Sequence, residues 1–230
     1  MAEVPPFTGY SDSARQLLSE LPTYDKDRFA SLKKRWNAEV LDQTKAFVSA
    51  AVPALRERIS PTIDGAPKVN GSISPINNDL RFSPDKPPYK DHLLITFWDG
   101  PSKKTAPVLH ARIASDDIGF ATGAVFADGL LERWKELVDA DATGVPLASA
   151  IDDLVATKSA DVVGQGVKRV PKPYDPDHPR GELLKHKWLQ VRWSEPAPAA
   201  IGSSEFPEWF AERLSVTRDV HCWLRDHLYG

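Results

Sequence analysis

Apolar residues recur with a helical period at both ends of this chain and with a period of two in its middle. Ser11 opens a short helical pattern through Leu17, Leu18 and Leu21, with Asp12 placed at the positive end of the helix dipole and Pro22 as its stop. From Asp25 a longer amphipathic segment carries Phe29, Leu32, Trp36, Val40, Phe47, Val48, Val52, Leu55 and Ile59 at helical spacings, with Lys and Arg between them. Pro53 lies inside this segment and predicts a kink or a split, and Pro61 closes it. A last helix from about Phe206 presents Phe206, Phe210, Leu214, Thr217, Val220, Leu224 and Leu228 on one face, with Trp209 and Trp223 near its edge.

Between these ends the pattern changes. Residues 93–98, 108–113 and 118–126 read as strands, close enough in sequence to pair antiparallel, with Asp99-Gly100 as a turn. Asp128 is placed to cap a helix through Leu131, Trp134, Leu137 and Val138, a further helix is expected around Leu147 to Ala156, and residues 188–193 alternate like a strand with one wet face. The predicted fold is therefore one α+β domain over residues 1–230. It has a helical part at 1–60, a loop-rich antiparallel sheet core at 61–193 and a C-terminal helix at 204–230.

Composition narrows the class. With 230 residues and 41% hydrophobic content the chain can bury a core. No apolar run of about 18 residues is present to span a bilayer, and Met1 to Pro6 lacks a signal-peptide pattern, so a cytoplasmic protein without membrane contact is expected. The lone Cys222 falls in a helical apolar pattern and reads as an inert buried thiol. A net charge of -3 argues against nucleic acid as a partner, but it hides segregation: residues 105–163 carry 4 basic and 10 acidic side chains, whereas residues 164–193 carry 7 and 3.

Two runs stand out from this pattern. Residues 60–92 are rich in Pro, Asn, Ser and Asp, which is turn chemistry, yet Ile73, Ile76, Leu80, Phe82 and Tyr89 are spaced to pack on a core, so an ordered loop is expected. The second run is VKRVPKPYDPDHPRGELLKHK, after Gly164-Gln-Gly166. The string Ile76-Asn-Asn-Asp-Leu-Arg-Phe-Ser-Pro-Asp-Lys-Pro-Pro-Tyr-Lys90, followed about 80 residues later by Lys-Arg-x-Pro and Asp-x-Asp-His-Pro, resembles a bacterial and fungal family known as domain of unknown function 2461. The resemblance spans most of the chain and implies an α+β domain without implying an activity. It marks Asp79, Arg81, Phe82, Ser83, Asp85, Lys86, Pro88, Tyr89, Lys90, Lys168, Pro171, Asp177, His178 and Pro179. The chain departs from the family pattern at Pro75 and Asn78, where arginines are usual, and at Thr23-Tyr24, where paired asparagines are usual.

The chemistry available to the two runs has two readings. Arg81, Lys86 and Lys90, with Asn78 and Tyr89, set against Lys168, Arg169, Lys172, His178 and Arg180, would form a positive pocket for a phosphate or carboxylate. Asp85, Tyr89 and His178 would then be the candidates for proton transfer. Alternatively the run is a structural clasp, in which Arg81 pairs with Asp79 or Asp85 and Tyr89 and Phe82 plug the core. For His178, capping the helix that begins near Pro179 is the simpler role than catalysis, and His110, alternating with the apolar residues of a strand, reads as a partner-satisfied histidine.

The six histidines are scattered, so no metal site is expected, and no glycine-rich phosphate loop, Gly-x-Ser-x-Gly or His-Glu-x-x-His is present. The cofactor and the oligomeric state are both left open by the sequence. Three function classes follow: binding or turnover of an anionic small molecule, nucleic-acid contact through the basic loops with Trp188, Trp193 and Tyr174, and a protein-interaction face around Trp209 and Trp223.

Overall fold

Residues 5–81, 85–127, 129–164 and 166–230 are described by a computed structural model. The helical period of the N-terminal segment becomes α1 (Asp12–Glu20), α2 (Lys26–Trp36) and α3 (Asp42–Arg58). Ser11 and Asp25 start the first two as expected, accepting the free backbone N–H groups of Ala14 at 3.1 Å and Arg28 at 2.7 Å. The interruption of the long segment is not at Pro53, through which α3 runs unbroken. It is a π-turn at Asn37–Leu41, whose extra residue rotates the buried stripe between Trp36 and Thr44. Pro53 is tolerated because it faces solvent, where the Ser49 carbonyl that loses its helical donor can be hydrated.

The period-two segments form β2 (Leu93–Asp99), β3 (Val108–Ile113), β4 (Asp117–Val125) and β6 (Trp188–Pro196). Two short edge strands, β1 (Ile63–Asp64) and β5 (Asp161–Val163), complete the sheet. Among the described residues the order is β1-β2-β3-β4-β6-β5, every neighbouring pair being antiparallel. Between β4 and β5 lie α4 (Leu130–Asp139) and α5 (Asp141–Lys158), joined through Ala140 alone. Gly129, with φ 88°, occupies the N-cap of α4, and the expected cap Asp128 lies outside the described residues. The helix predicted around Leu147 to Ala156 starts earlier and carries Pro146 within it. A single turn, α6 (Gly181–Leu184), precedes β6, and α7 (Phe206–Leu214) and α8 (Arg218–Trp223) follow it.

Strand alternation assigns the two sheet faces different jobs. One presents Phe97, Phe120 and Trp193 to the helices, where Phe120 stacks on Phe210 with centroids 5.4 Å apart and Phe47 meets Phe206 at 5.2 Å. The C-terminal stripe is buried at every residue from Phe206 to Leu228 that its spacing singles out, although short 3-10 and π turns interrupt the helix. Trp209 packs on Phe206 and Phe120, and Trp223 donates its indole N–H to the Thr143 carbonyl at 2.9 Å, so both serve the interior. No helix among the described residues is long and apolar enough to cross a membrane. Among the described residues the other sheet face has no helix on it, and it carries the cavity described below.

Candidate functional site

The Asn77 to Lys90 run folds back on itself. An isolated bridge pairs Asn77 with Tyr89, the backbone N–H groups of Asn78 and Lys90 reach the carbonyls of Pro88 and Ile76 at 2.9 Å, and the Asn78 amide donates to the Pro87 carbonyl at 2.9 Å. Tyr89 is buried and its ring lies 4.7 Å from Phe29 of α2. Arg81 forks onto both carboxylate oxygens of Asp79, which holds that carboxyl below the usual range. Lys90 donates to the Pro75 carbonyl, and burial lowers its pKa. Asp85 and Lys86 are exposed. Phe82 and Ser83 lie outside the described residues.

The second run is anchored elsewhere. Asp175 accepts the Asp177 N–H at 2.8 Å, His178 Nδ1 accepts the Arg180 N–H at 3.0 Å, and His178 Nε2 lies 3.3 Å from Asp139 at the end of α4. His178 therefore satisfies the backbone N–H of Arg180, the residue before α6, rather than one of the helix's own first-turn N–H groups. Arg180, 8% exposed, donates to the carbonyls of Val138 at 2.6 Å and Asp139 at 2.7 Å and to the Asp141 carboxylate at 2.7 Å. A Cβ at Gly144 would stand 2.1 Å from the Val138 carbonyl oxygen and 2.6 Å from Arg180 Nε, so this junction requires glycine. Lys168 and Arg169 are exposed and make no side-chain hydrogen bond or ion pair among the described residues.

Sheet register separates the two runs. Leu93, where the first run enters β2, is level with Glu195 at the far end of β6, through Ile113 and Ile118. The second run enters β6 at Trp188, level with Val125 at the opposite end of the sheet. The entry points are thus about 24 Å apart along the strands and about 14 Å across them. Lys168 and Arg169 are not brought together with Asn78, Arg81, Lys86, Tyr89 and Lys90 into one pocket, because three antiparallel pairings lie between β2 and β6 and reverse the direction of entry.

A cavity of about 520 Å³ lies instead on the open sheet face. Register places Thr96, His110, Ala121, Arg192 and Asp161 in one row across β2, β3, β4, β6 and β5. The next row toward the start of β4 holds Leu94, Arg112, Gly119 and Ser194, and the next row the other way holds Trp98, Val108, Gly123 and Gln190. The centre is the methyl group of Ala121, flanked by Gly119 and Gly123 on its own strand and surrounded by His110, Arg112, Gln190 and Arg192. Gly119 lets Arg112 lie across β4, since a Cβ there would sit 3.0 Å from that of Arg112. Arg112 Nη1 then grips both oxygens of Asp117 at 2.7 and 2.8 Å, and Nη2 lies 3.4 Å from Asp91. Arg192 is about half exposed, with its Nε 3.7 Å from Asp161 and no side-chain hydrogen bond among the described residues. His110 Nδ1 is 3.1 Å from Oγ1 of Thr96 on the neighbouring strand, so it has a partner as expected, and burial lowers its pKa to about 4.

A separate polar cluster is sealed inside. Asp99 ends β2 and accepts from Thr62 at 2.5 Å, while its other oxygen faces His221 Nε2 at 3.3 Å, out of line for a good hydrogen bond. His221 Nδ1 meets Thr122 Oγ1 at 3.1 Å, and Arg225 reaches toward Asp99 at 3.7 Å. Burial alone would raise the Asp99 pKa, but its polar neighbours His221, Ser60 and Thr62 outweigh it and hold the carboxyl at about 2. His221 and Thr122 have no exposed surface, so this arrangement is a core network closed to substrate. Cys222, half-buried beside it, has its thiol pKa raised chiefly by burial, in line with an inert role. Among the described residues no group of His, Cys, Asp and Glu is placed to hold a metal ion.

Sequence reasoning did not find Arg112, Gln190, Arg192 or the Ala121 floor. The only trace they leave in the sequence is small residues alternating along β4 and polar residues at the wet positions of β3 and β6.

Fold and site together define a class: an α+β protein with one helix-covered sheet face and one open face bearing a polar-ringed cavity. A family model described as a conserved hypothetical protein, DUF2461, matches residues 16–223, and the chain belongs to that family. No curated protein matches the sequence.

Proposed function

We propose that this protein binds a small molecule carrying a carboxylate or phosphate, and that the seat is the open sheet face around Ala121. The observation that carries the reading is the ring of Arg112, Arg192, His110 and Gln190 about a floor formed by Gly119 and Ala121. Arg112 is locked in place by Asp117, whereas the guanidinium of Arg192 keeps a fork for an incoming anion. Strands hold such a constellation more rigidly than loops do, which lowers the ordering cost of binding. In this reading the two marked runs, with Arg81, Lys86, Lys90, Lys168 and Arg169, act as clasps at opposite ends of the sheet.

A thermal-shift panel of inorganic phosphate, sugar phosphates, nucleotides and small carboxylates tests the proposal. A ligand present at about 100 times its dissociation constant adds roughly 2.7 kcal/mol to stability. Arg192→Ala is expected to abolish the shift, and the double variant Lys168→Ala/Arg169→Ala to keep it. No shift across the panel, or a shift lost with the loop variants and kept by Arg192→Ala, refutes the reading.

A further inference from the structure

Resting on that reading, we infer that the ligand is a monoanion whose opposite edge is a neutral, planar amide or heteroaromatic system. The two arginines and the two neutral polar groups are sorted along the strands. Arg112 and Arg192 occupy the rows of Gly119 and Ala121, and His110 and Gln190 occupy the rows of Ala121 and Gly123. On each flanking strand the cation thus stands one alternate residue nearer the Asp117 end than its neutral partner, a step of roughly 7 Å. That step matches one six-membered ring with an acidic group attached directly to it.

Each component of the site favours such a ligand over a dianion. The Gln190 amide supplies one donor and one acceptor side by side, the complement of an amide or heteroaromatic ring edge. His110 is uncharged at neutral pH, because burial favours its neutral form, and it turns Nδ1 to Thr96. A second anionic group placed at that end would meet no cation. Ala121 lies beneath, between Gly119 and Gly123 on its strand, and offers a flat ring one methyl group. Phe120 and Trp193, which alternate with these residues, stack with each other on the helix-covered face, so the ring rests on backbone rather than between aromatics.

Calorimetric titration of the full chain with orotate, benzoate, uracil and uridine 5′-monophosphate tests the inference. Orotate, with an acid and an amide edge on one ring, is expected to bind at least about tenfold more tightly than benzoate or uracil, the margin of one or two lost hydrogen bonds, and more tightly than the nucleotide, whose phosphate is largely a dianion at neutral pH. Preference for orotate assigns a monoanionic ring acid, and preference for the nucleotide overturns the inference while the anion site stands. Gln190→Ala is expected to reduce the tighter ligand to the benzoate level and to leave benzoate unchanged. Gln190→Met, which keeps roughly the side chain's length without its hydrogen-bonding groups, is expected to do the same if the first variant folds poorly. Benzoate binding as tightly as orotate, or indifference of orotate to both Gln190 variants, likewise overturns the inference while the anion site stands. Absence of binding by all four probes overturns both.

Discussion

Asp99 is a buried carboxylate whose contribution to stability can be read from its titration. Its pKa is about 2 in the folded chain against an ordinary value of 3.8, because hydrogen bonds to the ionised form outweigh the burial that opposes it. A carboxyl held lower in the folded than in the unfolded state binds fewer protons when folded. Its stabilisation is complete above about pH 5 and disappears as pH falls through about 4 toward 2. The full effect is about 2 kcal/mol, of which about 1 kcal/mol is gone by pH 3. Asp99→Asn keeps an oxygen for Thr62 but removes the charge facing His221 and Arg225, so it is expected to cost about 2 kcal/mol at pH 7. Urea unfolding of the wild type and the variant at pH 7, 5, 4 and 3 measures the gap between them, and other carboxylates cancel in that difference. The gap should hold from pH 7 to 5 and shrink by about 1 kcal/mol at pH 3. A gap that is the same at every pH, or one that widens in acid, refutes the assignment of the stabilisation to this ionised group.

Three further outcomes are expected. Arg180→Ala removes three charge-assisted hydrogen bonds at the α4–α5 junction and should destabilise the chain by about 3 kcal/mol in urea unfolding, with Arg180→Lys recovering little because one ammonium cannot reproduce the fork. Gly144→Ala drives a methyl group into the Val138 carbonyl and Arg180, and should cost about 3 kcal/mol and lower the thermal midpoint. Tyr89→Ala should cost about 3 kcal/mol and speed proteolysis of the Asn77 to Lys90 arm, whereas Tyr89→Phe should stay within about 0.5 kcal/mol of wild type, since its ring rather than its hydroxyl packs on Phe29.

Much of the scaffold was legible because one element satisfied its own pattern. The Phe206 to Leu228 stripe is buried at each position its spacing selects, and Ser11 and Asp25 start the helices they precede. The errors came where a local rule met a wider context. Pro53 carries a standard helix-breaking signal, but on a solvated face the helix absorbs it, while the π-turn at Asn37–Leu41 has no residue signature of its own. The edge strands β1 and β5, of two and three residues, are too short to show a period.

The candidate site was hidden for a deeper reason. His110, Ala121 and Arg192 are neighbours only through the registers of β3, β4 and β6, and no local pattern encodes a register between segments so far apart in sequence. The runs that did stand out owe part of their conspicuous composition to backbone demands. In the second run Asp175, His178 and Arg180 each satisfy main-chain groups in a stretch with little regular secondary structure to do so. The charge segregation has the same origin: Asp139 and Asp141, at the junction of the acidic helices, meet His178 and Arg180 of the basic run, so opposite signs far apart in sequence meet inside one fold. Unusual composition thus marks where the chain must satisfy itself. A ligand seat built on a sheet needs only ordinary residues at alternate positions, which is why arginines two strands apart across a glycine and alanine floor drew no attention until the strands were paired.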